Sequence, residues 1–218
     1  KNSLMKTGIL IFDVDFNVPE SKNLNLSAQE STLLFKSLCK SMMKDAAIST
    51  NEKFTKADID RFTVTGFQKG YDRTSAGLSY VEGWAPEEGK TNKRLKYVTK
   101  ILNGDEKKAR KLLETVWEYM NRYHFISLKP FGRRKAYLLD YRKIKTKTIS
   151  KLYICSECRG ITPYNIKGVC DNPKCNGHLE EYDFKVALQN DHYYNLYTNL
   201  DITAMKVREH TAQLSPCL

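Results

Sequence analysis

Four of the six cysteines in this 218-residue chain stand in two close pairs. Cys155 and Cys158 are separated by two residues, Cys170 and Cys175 by four, and eleven residues lie between the pairs. Each pair is short enough to bend into a knuckle that presents two thiolates to one ion, and the intervening loop can bring the knuckles into a tetrahedral set. Gly160 and Gly177 each follow the second cysteine of a pair by two positions. A residue without a side chain there lets the backbone fold back and aim an amide at the sulfurs. Four thiolates leave no open position for water or substrate, so the spacing predicts a structural zinc ion in a zinc ribbon rather than a Lewis-acid centre. An iron-sulfur cluster or a redox pair are the other tenants of such a set, and no surrounding redox motif favours them. His178 could replace Cys175 as a ligand, but a complete cysteine set makes it a surface residue.

A second cluster is basic. Between Lys129 and Lys151, nine lysines and arginines face only Asp140. Arg133, Arg134 and Lys135 fall in an expected hairpin loop, and the alternation of Lys143, Lys145 and Lys147 would set three ammonium groups along one side of a strand. Such a row can follow a phosphate backbone, so these six residues are the candidate nucleic-acid contacts. A solvated edge strand kept from aggregating by its lysines is the alternative.

Other chemistry-bearing residues point to ordinary roles. Asp13 and Asp15 share a strand face that could recruit a divalent cation or simply meet water. Asp105-Glu106-Lys107-Lys108 opens an amphipathic stretch and reads as a helix cap. Gly89-Lys90-Thr91 has the ending of a phosphate loop, yet Trp84 occupies the position of the first glycine and Pro86, Glu87 and Glu88 precede it. With no strand expected to lead into it, this is a surface loop, and the chain by itself is expected not to hydrolyse ATP. His124, His178, His192 and His210 are scattered, without a local nucleophile.

The elements that must carry these residues can be read from periodicity. Gly8 to Phe16 is a strand. Ser27 and Glu30 form a capping box ahead of Leu33, Leu34, Leu38 and Met42, a helix ending near Asp45. A second capped stretch begins near Thr55, Phe62 to Phe67 reads as a strand, and a glycine-containing loop runs through Gly70, Gly77, Gly83 and Gly89. From Asn92, a stripe of Arg94, Leu95, Tyr97, Val98, Ile101 and Leu102 marks a helix stopped by Asn103 and Gly104. Asp105 then caps a longer one that buries Ala109, Leu112, Leu113, Val116, Trp117 and Met120. His124–Leu128 and Ala136–Tyr141 are strands joined by a loop holding Pro130, Gly132 and Arg133 to Lys135, an order of elements that predicts a winged helix.

Formal charge is +11 and pI about 9.3, which favours a polyanionic partner. No apolar run approaches the roughly 18 residues needed to cross a bilayer, and no signal peptide opens the sequence, so the expectation is a cytoplasmic chain without a membrane. The opening at Lys1 and the ending Ser215-Pro216-Cys217-Leu218 read as a piece of a longer protein.

The tail Glu209-His210-Thr211-Ala212-Gln213-Leu214-Ser215, with His192-Tyr193-Tyr194 and Leu196-Tyr197 before it, resembles the opening of the second RecA-like lobe in a group of large bacterial superfamily 2 DEAD/DEAH-type helicases. The resemblance is most specific over about the last thirty residues. It implies an accessory region in which winged-helix-like and four-cysteine modules lie between or beside motor lobes. Members of that group act in DNA repair or in defence against phage. ATP would enter only through motor lobes absent from this chain.

The resulting expectation is an α+β chain. Residues 1–91 form a mixed α/β N-terminal region, 92–150 a winged-helix-like domain, 151–183 a zinc ribbon, and 184–218 a connector into a second RecA-like lobe. Its partners would be nucleic acid, DNA above all, and the parent protein's motor lobes. A zinc-ribbon module that docks a partner subunit is the main alternative, and a free-standing zinc-ribbon transcription factor a third.

Overall fold

The computed structural model describes residues 5, 8–17, 25–50, 55, 57, 68–74 and 80–199. Its helices begin where the sequence supplies caps. In α1 (Ala28–Lys44) the Ser27 hydroxyl accepts from the Glu30 amide at 3.2 Å, and the Glu30 carboxylate accepts from the Ser27 amide at 2.9 Å. This reciprocal pair satisfies two donors that a helix start otherwise leaves free. The buried face of α1 includes Leu34, Phe35, Leu38, Cys39 and Met42, while Leu33 packs only at its margin. Asn92 caps α2 (Lys93–Ile101), which ends as expected at Asn103 and Gly104, both with positive φ. Asp105 caps α3 (Glu106–Arg122), whose buried face is the six expected residues from Ala109 to Met120.

The fold is α+β, with five helices and ten strands in three sheets among the described residues. The largest sheet contains β2 (Ile48–Ser49), β3 (Gly70–Asp72), β4 (Val81–Gly83), β5 (Ile126–Phe131) and β6 (Arg134–Asp140). Strand β6 is its hub: β5 pairs along it from Ile126↔Leu139 to Phe131↔Arg134, and β3 and β2 also pair with it. The β5–β6 connection is therefore tighter than the sequence implied. Only Gly132 and Arg133 form the turn, while Arg134 and Lys135 belong to β6 and Pro130 to β5. Gly132 has φ +60°, the value that the first central residue of a type II′ hairpin turn requires. Proline is tolerated in β5 because that strand is an edge.

The expected glycine loop is corrected in the same sheet. Gly70 begins β3 and Gly83 ends β4, two strands paired in parallel. A Cβ on Gly70 would fall 2.4 Å from that of Ala136, so glycine at this position lets β3 approach β6. Gly77, the cap near Thr55 apart from Thr55 itself, and the expected strand Phe62–Phe67 lie outside the described residues.

The order α2, α3, β5, β6 is that of the expected winged helix, but the hairpin is not a free wing. Its second strand is built into a sheet with residues from the N-terminal region, and α1 packs on it. One apolar core runs from Val14 through Phe35, Trp84, Leu113 and Leu139 to Tyr164 and Ile166. Packing therefore does not divide at 91/92 or at 150/151. Strand β1 (Leu10–Val14) crosses the first of these points by pairing antiparallel with β7 (Ile144–Thr148), and Tyr164 and Ile166 cross the second by joining the main core.

The third sheet has the order β10-β8-β9, with β8 at Leu152–Cys155, β9 at Ile161–Thr162 and β10 at Leu179–Tyr182. Two short helices follow, α4 (Phe184–Ala187) and α5 (His192–Asn199). The Phe184 ring lies so close over Gly8 that any side chain there would collide with it, which ties this segment back to the start of β1. No helix among the described residues is long and apolar enough to cross a membrane.

Candidate functional site

Strand β8 delivers Cys155 at its last position, and the chain turns at once through Ser156 and Glu157 to Cys158. The Cys155 amide donates to the Gly160 carbonyl at 3.0 Å, closing the first knuckle. In the second, the Gly177 amide donates to Cys175 Sγ at 3.3 Å and the Asn172 amide to Cys170 Sγ at 3.5 Å. A Cβ on Gly177 would lie 2.7 Å from Cys155 Sγ, so glycine is required there by space as well as by its amide.

The four sulfurs converge. Cys155 and Cys175 are 3.5 Å apart, Cys158 and Cys170 are 3.6 Å apart, and all four lie within 4.8 Å of one another. These separations are too long for disulfides, whose sulfurs are about 2.05 Å apart. Metal–sulfur bonds of about 2.3 Å in a tetrahedron would set the sulfurs about 3.8 Å apart, within the observed range. The set can hold a metal ion. Burial opposes ionisation of Cys155, yet the amides of Cys158 and Glu157 and the neighbouring thiols bring it down to about 7. Cys170 goes the other way, raised by burial and by the thiols around it. Comparison with protein-family models, curated proteins and solved structures finds no match for this chain.

His178 is exposed and bonds Ser156 and Glu180, outside the sulfur set. Cys39 is buried in α1, where its thiol is raised by burial.

Contacts that the sequence did not reveal fix the cysteine region to the rest of the chain. Lys100 of α2 donates to the carbonyls of Asn172, at 3.0 Å, and Cys175. Lys44 at the end of α1 pairs with Asp171 at 3.1 Å. Tyr164, carried by the loop between the knuckles, donates its hydroxyl to Asp13 at 2.7 Å. Asp13 therefore neither faces water nor waits for a cation: it is buried and also pairs with Lys36 at 3.4 Å.

The basic residues divide into two groups. Arg133, Arg134 and Lys135 are exposed at the hairpin tip, with no acidic partner among the described residues. From Lys135 the remaining five residues of β6, about 16 Å, lead to the second group. Lys143 is not on the strand with the others. It ends a 3-10 turn (Tyr141–Lys143) and lies over the Phe125 ring. Lys145 and Lys147 do alternate on β7, but register sets Lys145 opposite Asp13, and Lys147 bonds Asp15 at 2.9 Å. That bond holds the Asp15 carboxyl below its ordinary range. Asp140 is likewise lowered, first by its hydrogen bond from Arg142. The acid that pairs with the β7 face, Asp15, stands just past β1, far away in sequence, so counting charges along the segment could not find it.

Arg94, which the periodicity set in the stripe of α2, lies on that buried face as a charged group held by specific partners. It is buried, its guanidinium lies over the Tyr71 ring at 4.2 Å and bonds the Tyr71 hydroxyl at 2.5 Å and Ser41 at 2.8 Å. Asp45 and Glu82 balance it at 3.5 and 3.9 Å. Gly89 to Thr91 form an exposed turn in which Lys90 pairs with Glu87 at 2.8 Å. A strand does precede that turn, since β4 ends at Gly83, and α2 follows it. Arg110 nevertheless fastens the turn from below through the carbonyls of Glu87, at 2.8 Å, and Lys90, at 2.7 Å.

Proposed function

We propose that the four cysteines bind a structural zinc ion and that the chain is a nucleic-acid-binding accessory region of an ATP-dependent DNA helicase. The observation that carries the binding reading is the hairpin tip: Arg133, Arg134 and Lys135 are exposed and unpaired among the described residues, on a hairpin anchored in the main sheet. Unpaired cations of this kind exchange counterions for phosphates and read no sequence. The helicase part rests on the resemblance of the C-terminal segment, whose motif Glu209–Ser215 lies outside the described residues. On that reading the chain works beside RecA-like motor lobes in repair or phage defence, and by itself turns over no ATP.

Zinc is favoured over other metals by the all-thiolate donor set in a closed tetrahedral arrangement. Elemental analysis of purified protein should give about one zinc per chain. For nucleic acid, affinity for DNA measured by fluorescence anisotropy should fall roughly tenfold or more between low and physiological salt. The substitution R133A/R134A/K135A should weaken binding to all sequences about equally and flatten the salt slope. Unchanged affinity and slope would remove the nucleic-acid reading.

One observation favours a second reading, a module that docks a protein partner. Helix α5 exposes Tyr193, Leu196 and Tyr197, three large apolar side chains at helical spacing. The salt titration separates the two readings: DNA affinity that falls steeply with salt and survives Y193A/Y197A supports the nucleic-acid reading, whereas DNA binding that is absent or indifferent to salt supports the docking module.

A further inference from the structure

Between the second cysteine knuckle, the C-terminal half of α1 and the start of α2 lies a cleft of about 610 Å³, distant in function from anything assigned above. Its walls carry six cationic side chains against three acids. The acids are all engaged: Asp171 pairs with Lys44, and Asp45 and Glu82 with Arg94 and Lys69. What remains is an excess of positive charge. Lys40, Lys93, Lys96 and Lys174 line the cleft with no acidic partner within ion-pair distance among the described residues.

Lys40 is the most telling of these. Its ammonium sits against the Met5 sulfur at 3.0 Å and the Tyr164 ring at 5.2 Å, soft neighbours that do not neutralise it. Burial, and then repulsion from Lys44, pushes it down to about 8. Asp171 and Asp13 attract it only from beyond ion-pair distance, and a half-buried ammonium without a paired acid is costly unless an anion can reach it. Two further features face the same space. The nine-residue helix α2 begins there at Asn92 and Lys93, with the positive end of its dipole. Tyr97 is 5% exposed, and its hydroxyl, with the Ser37 side chain as its near polar neighbour, makes no hydrogen bond of good geometry among the described residues. Burial raises that phenol well above its ordinary range, so it remains a neutral donor.

From this convergence we propose that the cleft binds a phosphomonoester of nucleotide size. A dianion would neutralise the unpaired lysines and accept from buried donors. The volume is that of a small-molecule pocket and far exceeds what inorganic phosphate fills. Leu38 and Pro173 supply an apolar wall for the organic part of the ligand. The group could be a free nucleotide or the phosphorylated end of a nucleic acid, which share this chemistry.

The test is calorimetric titration of the metal-loaded chain with adenosine 5′-monophosphate, adenosine, and short oligonucleotides with and without a 5′-phosphate. Saturable binding of the monophosphate is expected, with adenosine at least tenfold weaker. K93E/K96E changes two exposed positions and keeps an acid-tolerant first helical turn, so folding should survive. That variant, and separately K40M, should each lower affinity at least tenfold, while R133A/R134A/K135A leaves it unchanged. Competition by the 5′-phosphorylated oligonucleotide but not its 5′-hydroxyl form would identify a nucleic-acid end. Absence of competition would identify a free nucleotide, and both results support the site. Equal binding of adenosine, wild-type affinity in both cleft variants, or no saturable binding at millimolar monophosphate would overturn it. Because the hairpin triple variant is silent here, failure of this site and failure of the hairpin reading are separable.

Discussion

The cysteine region and the helical body solve the same stability problem by different means. The body buries one apolar core in which Trp84, Phe35, Leu113 and Met120 are almost wholly shielded from water. The cysteine region has a core of its own consisting of Cys155, Cys170, Cys175 and Leu179, with Tyr153 at its edge. Three of those four buried residues are candidate metal ligands. Apart from Tyr164 and Ile166, which join the body's core, the segment has little apolar burial of its own to offset the entropy of ordering its loops. Hydrophobic burial scales with chain length, whereas a metal held by these four thiolates would concentrate its stabilisation in four side chains.

The sharpest way to break that contrast is to take the metal away. Chelation, or Cys170→Ser, should unfold residues 152–182, since sites of this kind contribute on the order of 10 kcal/mol to a small module. Hydrogen exchange should then show lost protection in β8 and β10 while α3 remains protected. Ordered knuckles in metal-free protein would show that the region does not depend on the ion.

The reverse experiment is expected to have a smaller effect and the opposite distribution. Trp84→Ala removes a fully buried ring that packs on Trp117 and donates to the Leu113 carbonyl at 2.8 Å. It should cost about 3–5 kcal/mol in denaturant unfolding of the body. Metal content, measured on the folded variant, should stay at the wild-type value.

Smaller still is the effect on the seam between the two regions. Tyr164→Phe deletes the hydroxyl that donates to Asp13 but keeps the ring, and Lys36 remains to balance the carboxylate. A loss of about 1–2 kcal/mol is expected. If the regions are coupled through this contact, chelation should destabilise the body less in the variant than in the wild type. Equal chelation effects would assign the coupling to Lys100 and Lys44 instead.

The hairpin tip should register no stability effect. R133A/R134A/K135A alters exposed, unpaired positions and should shift unfolding by no more than about 0.5 kcal/mol. A larger loss would mean that these residues hold the fold together, which would undercut their use for binding.

By itself the sequence determined what depends on near neighbours. The capping box at Ser27 and Glu30, the caps at Asn92 and Asp105, the buried face of α3 and the two knuckles all rest on residues a few positions apart, where backbone geometry leaves few choices. Tertiary structure alone decided what depends on residues far apart in the chain. The pairing of β1 with β7 set Asp13 and Asp15 against Lys145 and Lys147, and the approach of β3 to β6 turned Gly70 from a loop residue into a strand residue. Docking of the second knuckle on Lys100 and Lys44 made a cationic cleft from segments that share no local pattern. Charge balance and burial are properties of space, and a one-dimensional pattern carries them only where the chain's own stiffness keeps neighbours in sequence neighbours in the fold.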